Sequence, residues 1–291
     1  MHLIVTFEAT TNFMKKFILY IILLFATFAT VHAQYYYNDL LATQQSNAQQ
    51  KLLLNNKVRT VTAISKEADN STVEGFLVQQ KINKDASEIV TETKNGESVV
   101  STLFSYYNNG IINKTKTITK DIFTVTDYIY DAAGLLQNIT SATTDTFMNS
   151  FTSEHHIWFF NAEHQPTKMY RIKNNTDTTF VEFVLDDQKM VAVENWKRNG
   201  RYTEAYYYYY NEKKQLTDIV RFNSIAQKML PDFMFEYDAT GRIKQMIQVL
   251  AAGKNYNTWR YTYLENGLKQ KETCYDKQKQ LVGAIEYSYA Y

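Results

Sequence analysis

Three histidines, His155, His156 and His164, stand beside Glu154 and Glu163. Imidazoles next to carboxylates are the groups from which metal sites and acid–base pairs are made, and a hairpin through this stretch would bring His156 and His164 together. Two observations weigh against such a site. Adjacent His155 and His156 must point to opposite faces of a strand, and neither an H-E-x-x-H spacing nor a third placed ligand accompanies them. Asp186-Asp187 and the other turn acids would act as a hydrolytic pair only if two carboxylates met in a cleft; hydrogen bonding within turns explains them without one. The chain has no G-x-S-x-G, P-loop or dinucleotide fingerprint. Its one cysteine, Cys274, has no partner for an internal disulfide and reads as a small buried apolar side chain rather than a reactive thiol. The expectation is a non-enzymatic chain with no catalytic residue, no metal and no cofactor.

Tyr206 to Tyr210 is a run of five tyrosines and invites a sugar-stacking reading, since aromatic faces pack on sugar rings. A strand period offers a structural alternative, with Tyr206, Tyr208 and Tyr210 inward and Tyr207 and Tyr209 on the other face. Burying one large apolar side chain is worth about 1.5–3 kcal/mol, so a ladder of eight gives roughly 12–24 kcal/mol gross. That matches or exceeds a domain's net stability of about 5–15 kcal/mol. Core packing therefore accounts for the aromatic content.

The elements that would hold these side chains show a repeat. Strand-like runs end on an apolar residue followed by a turn at Ile82, Tyr107, Tyr130, Phe160, Leu185, Tyr210, Tyr237, Tyr263 and Tyr289, and six of the eight intervals are 25 to 27 residues. Tyr130-Asp131-Ala132-Ala133-Gly134 and Tyr237-Asp238-Ala239-Thr240-Gly241 place an aspartate first, where its side chain bonds backbone amides, and a glycine fourth, where a positive φ is often required. Asn108-Asn109-Gly110 is a tighter version after Tyr107. Leu136, Leu216, Ile243 and Leu268 open the return strands. A second set of turns, at Asn95-Gly96, Asn199-Gly200 and Gly253-Lys254, falls midway. Within the strands Phe233, Phe235 and Tyr237 share a face, as do Trp259, Tyr261 and Tyr263, and Ile285, Tyr287, Tyr289 and Tyr291. Pro166 and Pro231 read as turn or strand-start positions. The predicted fold is all-β: a long antiparallel meander of 17 or 18 strands over 58–291, curled or closed because twist accumulates. Asp39 to Leu54 has helical spacing and forms a short helix in a lead-in over 34–57.

The first residues predict export. Met14-Lys15-Lys16, the apolar run Phe17 to Phe28 and Val31-His32-Ala33 match a signal peptide over 1–33, with Met14 as the natural start and Gln34 as the first mature residue. About twelve apolar residues are too few to span a bilayer that needs around 20, so no transmembrane helix remains after cleavage. The formal charge is +1, and loss of Glu8, Lys15 and Lys16 brings it to zero; a neutral chain without a basic block excludes nucleic acid as a partner. The composition reads as that of a Gram-negative bacterium.

The two strict motifs, Tyr130 to Leu136 and Tyr237 to Ile243, resemble the YD repeat of the RHS family, Tyr-Asp-x-x-Gly followed by Arg or Leu and an aliphatic residue. The resemblance implies a spiralling β-sheet shell. It carries no toxin activity over, because the chain is short and ends on a repeat strand, Tyr287 to Tyr291. The structural anchors of the repeat are Tyr107, Tyr130, Asp131, Gly134, Phe160, Tyr210, Tyr237, Asp238, Gly241, Tyr263 and Tyr289.

The functional expectation is an exported scaffold or binding protein, periplasmic, surface-held or secreted, with an unknown protein or carbohydrate as partner. One alternative is an outer-membrane β-barrel, against which Lys269 and Lys271 are expected to share one face, with Gln270 and Glu272 on the other. The other is a small envelope hydrolase using His156 and His164.

Overall fold

The computed structural model describes residues 35–96, 100–250 and 255–291. The leader expected over 1–33 and the turn expected at Gly253-Lys254 lie outside the described residues.

Alternating side chains and closely spaced turn residues produce eighteen strands among the described residues. They are β1 (Thr60–Glu67), β2 (Leu77–Ile82), β3 (Glu88–Lys94), β4 (Ser101–Asn108), β5 (Ile111–Thr119) and β6 (Ile122–Tyr130). Next come β7 (Leu136–Asp145), β8 (Ser150–Phe160), β9 (Pro166–Lys173), β10 (Asp177–Leu185), β11 (Val191–Arg198) and β12 (Arg201–Tyr210). The last are β13 (Leu216–Asn223), β14 (Lys228–Tyr237), β15 (Ile243–Val249), β16 (Tyr256–Tyr263), β17 (Lys269–Tyr275) and β18 (Leu281–Ala290). Each pairs antiparallel with the next, and β1 pairs with β18 from Thr60↔Ala290 to Glu67↔Gly283. The sheet is therefore a closed barrel, the arrangement that leaves no strand edge unpaired. Turns after even-numbered strands form one rim, called upper here, and turns after odd-numbered strands form the lower rim.

Side-chain chemistry fixes the upper turns. Asp131 Oδ1 accepts the Ala133 and Leu135 amides, both at 2.9 Å, and Asp238 Oδ1 accepts those of Thr240 and Arg242. Asn161, Asp186 and Asn211 repeat the pattern. The fourth turn residue is left-handed throughout, φ +81° at Gly134 and +87° at Gly241, but also +64° at His164 and +59° at Lys214. Tyr107 precedes the tighter Asn109-Gly110 turn, with φ +50° and +78°. Just before the Asx turns the anchor sits beside a β-bulge, as at Tyr130, Phe160, Tyr210 and Tyr237. Four anchor hydroxyls then donate one hairpin back: Tyr210 to Val191 O, Tyr237 to Leu216 O, Tyr263 to Ile243 O and Tyr289 to Lys269 O, at 2.6–2.9 Å.

Bulges also correct two placements expected from the sequence, and the end of β18 corrects a third. Thr262 pairs with Lys271 and Tyr263 with Lys269, so Gln270 is the extra residue and Lys269 turns inward onto Glu272 and the ring of Tyr261 while Lys271 faces outward toward Glu286. The two lysines do not share a face. Pro231 is neither a turn nor a strand start; it lies within β14 at the bulge opposite Val220, where the missing N–H is tolerated. Tyr291, expected on the same strand face as Tyr289, falls beyond β18 and is exposed.

The segment before β1 closes the upper rim. Helix α1 (Asn38–Asn55) ends where Asn56 returns its amide to Leu52 O and Lys57 takes φ +56°. Its inner face bonds the rim: Gln50 Nε2 donates to Ala86 O, Asn47 Oδ1 accepts Ile112 N–H, and Ser46 meets the Tyr107 hydroxyl. Leu53 is buried with Val58, Val61, Ile82, Ile89 and Leu268. From the loop between β1 and β2, Phe76 packs with Met246, Trp259, Cys274 and Ile285. The barrel is thus filled, by aromatic side chains and by its own N-terminal segment.

Candidate functional site

The lumen receives Tyr35, Tyr36 and Tyr37 directly ahead of α1. Tyr36 lies 4.6 Å from the Trp196 ring centroid and Tyr37 5.2 Å from that of Tyr208. Tyr206, Tyr208 and Tyr210 of the five-tyrosine run face this segment, while Tyr209 is half exposed on the wall. Glu194 is wholly buried beneath it. Its carboxylate accepts the Tyr36 and Tyr37 amides at 2.7 and 2.9 Å, the Trp196 indole N–H, and the Tyr208 hydroxyl at 2.6 Å. Burial pushes its pKa up, and the four donors oppose that shift.

The histidines are separated. His155 faces outward, near Thr140. His164 occupies the exposed left-handed turn position after β8. His156 faces the lumen and pairs in register with Arg171, not with His164, so the hairpin does not bring the two histidines together. Its Nδ1 lies 2.6 Å from Asp39 of α1 and its Nε2 2.9 Å from Glu154. Glu154 also takes Arg171, and Arg198 pairs with Asp177 at 2.6 Å. Burial alone would lower the His156 pKa, yet Asp39 and Glu154 lift it to about 9. Burial likewise opposes ionisation of Glu154, but His156 and Arg171 draw it down to about 2. The result is a row of matched charges that fastens α1 to the wall. Among the described residues no group of three His, Cys, Asp or Glu side chains could hold a metal ion, and Cys274 is buried with its pKa raised by burial to about 12.

No protein-family model matches the chain, nor does any curated protein sequence. Solved structures do resemble it. A crystal structure of TcdB2-TccC3-Cdc42 matches at 12% identity and TM-score 0.33 over 71% of this chain, which spans 12% of that one. The Photorhabdus luminescens Tc holotoxin pore matches at 12% identity and TM-score 0.33, over 77% of this chain and 14% of that one. A porin-like protein from Bacteroides uniformis matches at 8% identity and TM-score 0.40, over 80% of this chain and 98% of that one.

The outer wall has its own chemistry. Cross-strand ion pairs run along it: Lys81–Glu92 at 3.5 Å, Lys114–Asp127 at 3.0 Å, Lys197–Glu182 at 2.7 Å and Lys271–Glu286 at 2.8 Å. A depression of about 610 Å³ opens between the lower ends of β12, β13 and β14, where Ala205 leaves a gap beside Tyr202, Tyr207, Phe222, Ile225 and Met229. Sequence reasoning missed Asp39 and Glu194. Asp39 meets His156 117 positions away and Glu194 meets the Tyr36 amide 158 positions away; the period-two phase of Glu194 with Trp196 hints at its inward aim.

Proposed function

We propose that the chain is an exported, non-enzymatic β-barrel of the bacterial envelope that binds through its outer surfaces and does not conduct through its lumen. The distribution of polarity carries this reading. Transmembrane barrels place apolar side chains outward and polar ones inward; here four ion pairs lie on the wall and tryptophan and tyrosine fill the interior. A basic side chain facing mid-bilayer costs about 2–4 kcal/mol, falling to about 0–1 kcal/mol near the interfaces; Lys114 and Lys271 lie within their strands, where the cost is larger, and Lys81 and Lys197 lie next to strand ends, where it is smaller. The Asx turns ending in a left-handed fourth residue support the YD-type repeat reading, with Asp131, Gly134, Asp238 and Gly241 as its strict copies. Expression of residues 34–291 tests the proposal: a monodisperse protein without detergent is expected, and extraction only with detergent would overturn it.

A second reading, a barrel inserted in the outer membrane, is favoured by the closure of an even number of antiparallel strands, the form in which a sheet can span lipid. The same detergent experiment separates the two.

A further inference from the structure

Thirteen of the twenty large apolar side chains exposed among the described residues lie on the lower rim, where they form an annulus rather than a scatter. The most prominent stand on two hairpin tips of one design. At the β7–β8 tip, Asp145 Oδ1 accepts the Phe147 and Met148 amides at 2.9 and 2.8 Å, and Thr146 donates to Asp121 O. At the β13–β14 tip, Asn223 Oδ1 accepts the Ile225 and Ala226 amides at 3.1 and 2.9 Å. Phe147, Met148 and Ile225 are 84%, 73% and 70% exposed. With their amides already bonded, these tips can leave water without stranding backbone donors.

Charge is biased on the same rim. Among the described residues its turns and strand ends expose eight cations, Lys94, Lys120, Lys173, Arg201 and Lys228 among them, against two exposed carboxylates, Asp69 and Glu74; the upper rim with α1 exposes six of each sign. Asp145 and Asp276, the acids that shape lower turns, are half-buried and occupied by backbone amides, and the half-buried Asp121 and Asp177 each pair with one of these cations, Lys120 and Arg198, which leaves the balance positive. A second copy stacked rim to rim would oppose cation to cation, and a flat anionic apolar layer would not.

We propose that the lower rim docks on an anionic phospholipid surface. Phe147, Met148 and Ile225 enter the boundary between headgroups and acyl chains, and the rim cations remain with the phosphates. The proposal goes beyond the water-facing barrel and rests on it for the wall, which stays outside the lipid.

Because Cys274 is buried, a polarity-sensitive thiol dye reports single sites in full-length mature protein carrying Phe147→Cys, Lys116→Cys on the wall or Gln44→Cys on α1. With phosphatidylethanolamine–phosphatidylglycerol vesicles a blue shift is expected at 147 alone, lost at high salt and absent with phosphatidylcholine vesicles. Joint replacement of Phe147, Met148 and Ile225 by serine is expected to weaken vesicle flotation about tenfold or more at an unchanged melting temperature. No shift at 147 on a soluble protein, or a shift there without vesicles from self-association, overturns rim docking alone. Shifts at both 147 and 116 overturn rim docking together with the water-facing wall.

Discussion

At the scale of single residues, the buried charges act as fasteners. His156 has its pKa raised to about 9 against an ordinary 6.5, so the stability it supplies is fully present below about pH 6.5 and is lost as pH rises through 9. The shift corresponds to on the order of 3 kcal/mol. Thermal unfolding of the wild type should therefore weaken between pH 7 and 10, and His156→Gln should flatten that decline. Glu154 works in the opposite sense: its support holds above pH 4.5 and fades as pH falls toward 2. Glu194→Ala would leave two backbone amides, an indole N–H and a phenol without their acceptor. A loss of at least about 3 kcal/mol is expected in denaturant titration, with the N-terminal amides gaining hydrogen exchange first.

At the scale of elements, the hairpin is the unit and its turn is the variable part. Glycine suits the left-handed fourth position at Gly241, whereas Lys214 holds the same conformation against its side chain. Gly241→Ala should cost about 1–2 kcal/mol and Lys214→Gly should gain up to about 1 kcal/mol, read as opposite shifts in melting temperature. Tyr237→Phe should cost about 1 kcal/mol, because the phenol no longer caps Leu216 O. The 17 or 18 strands, the helix and the Asx turn positions were legible in the sequence because each rests on local chemistry: period-two alternation, Asx side chains, and apolar residues closing each run. The facing of Lys269 was not, since a single bulge residue reverses the in–out phase of the strand on either side of it. Nor was the junction of Asp39 with His156, which joins the helix to a strand 117 positions on and leaves no local trace.

At the scale of the whole molecule, aromatic side chains, the N-terminal segment and its internal ion pairs occupy the interior, so the barrel is a filled solid rather than a pipe. Planar-bilayer recording with purified protein should give no steps of conductance, and deletion of residues 34–57 should lower thermal stability by exposing Leu268 and the upper turns. Intact-mass measurement on protein recovered from the envelope should give a chain starting at Gln34.

The seam between the first and last strands bears on synthesis. Thr60 meets Ala290, 230 positions away, so every hairpin can zip onto its predecessor as it is made, but the cylinder cannot shut until the final strand has left the ribosome or translocon. Until then the product is an open ribbon with two raw borders, the state in which strand-swapping and aggregation start. A variant shortened by its final strand would remain there permanently.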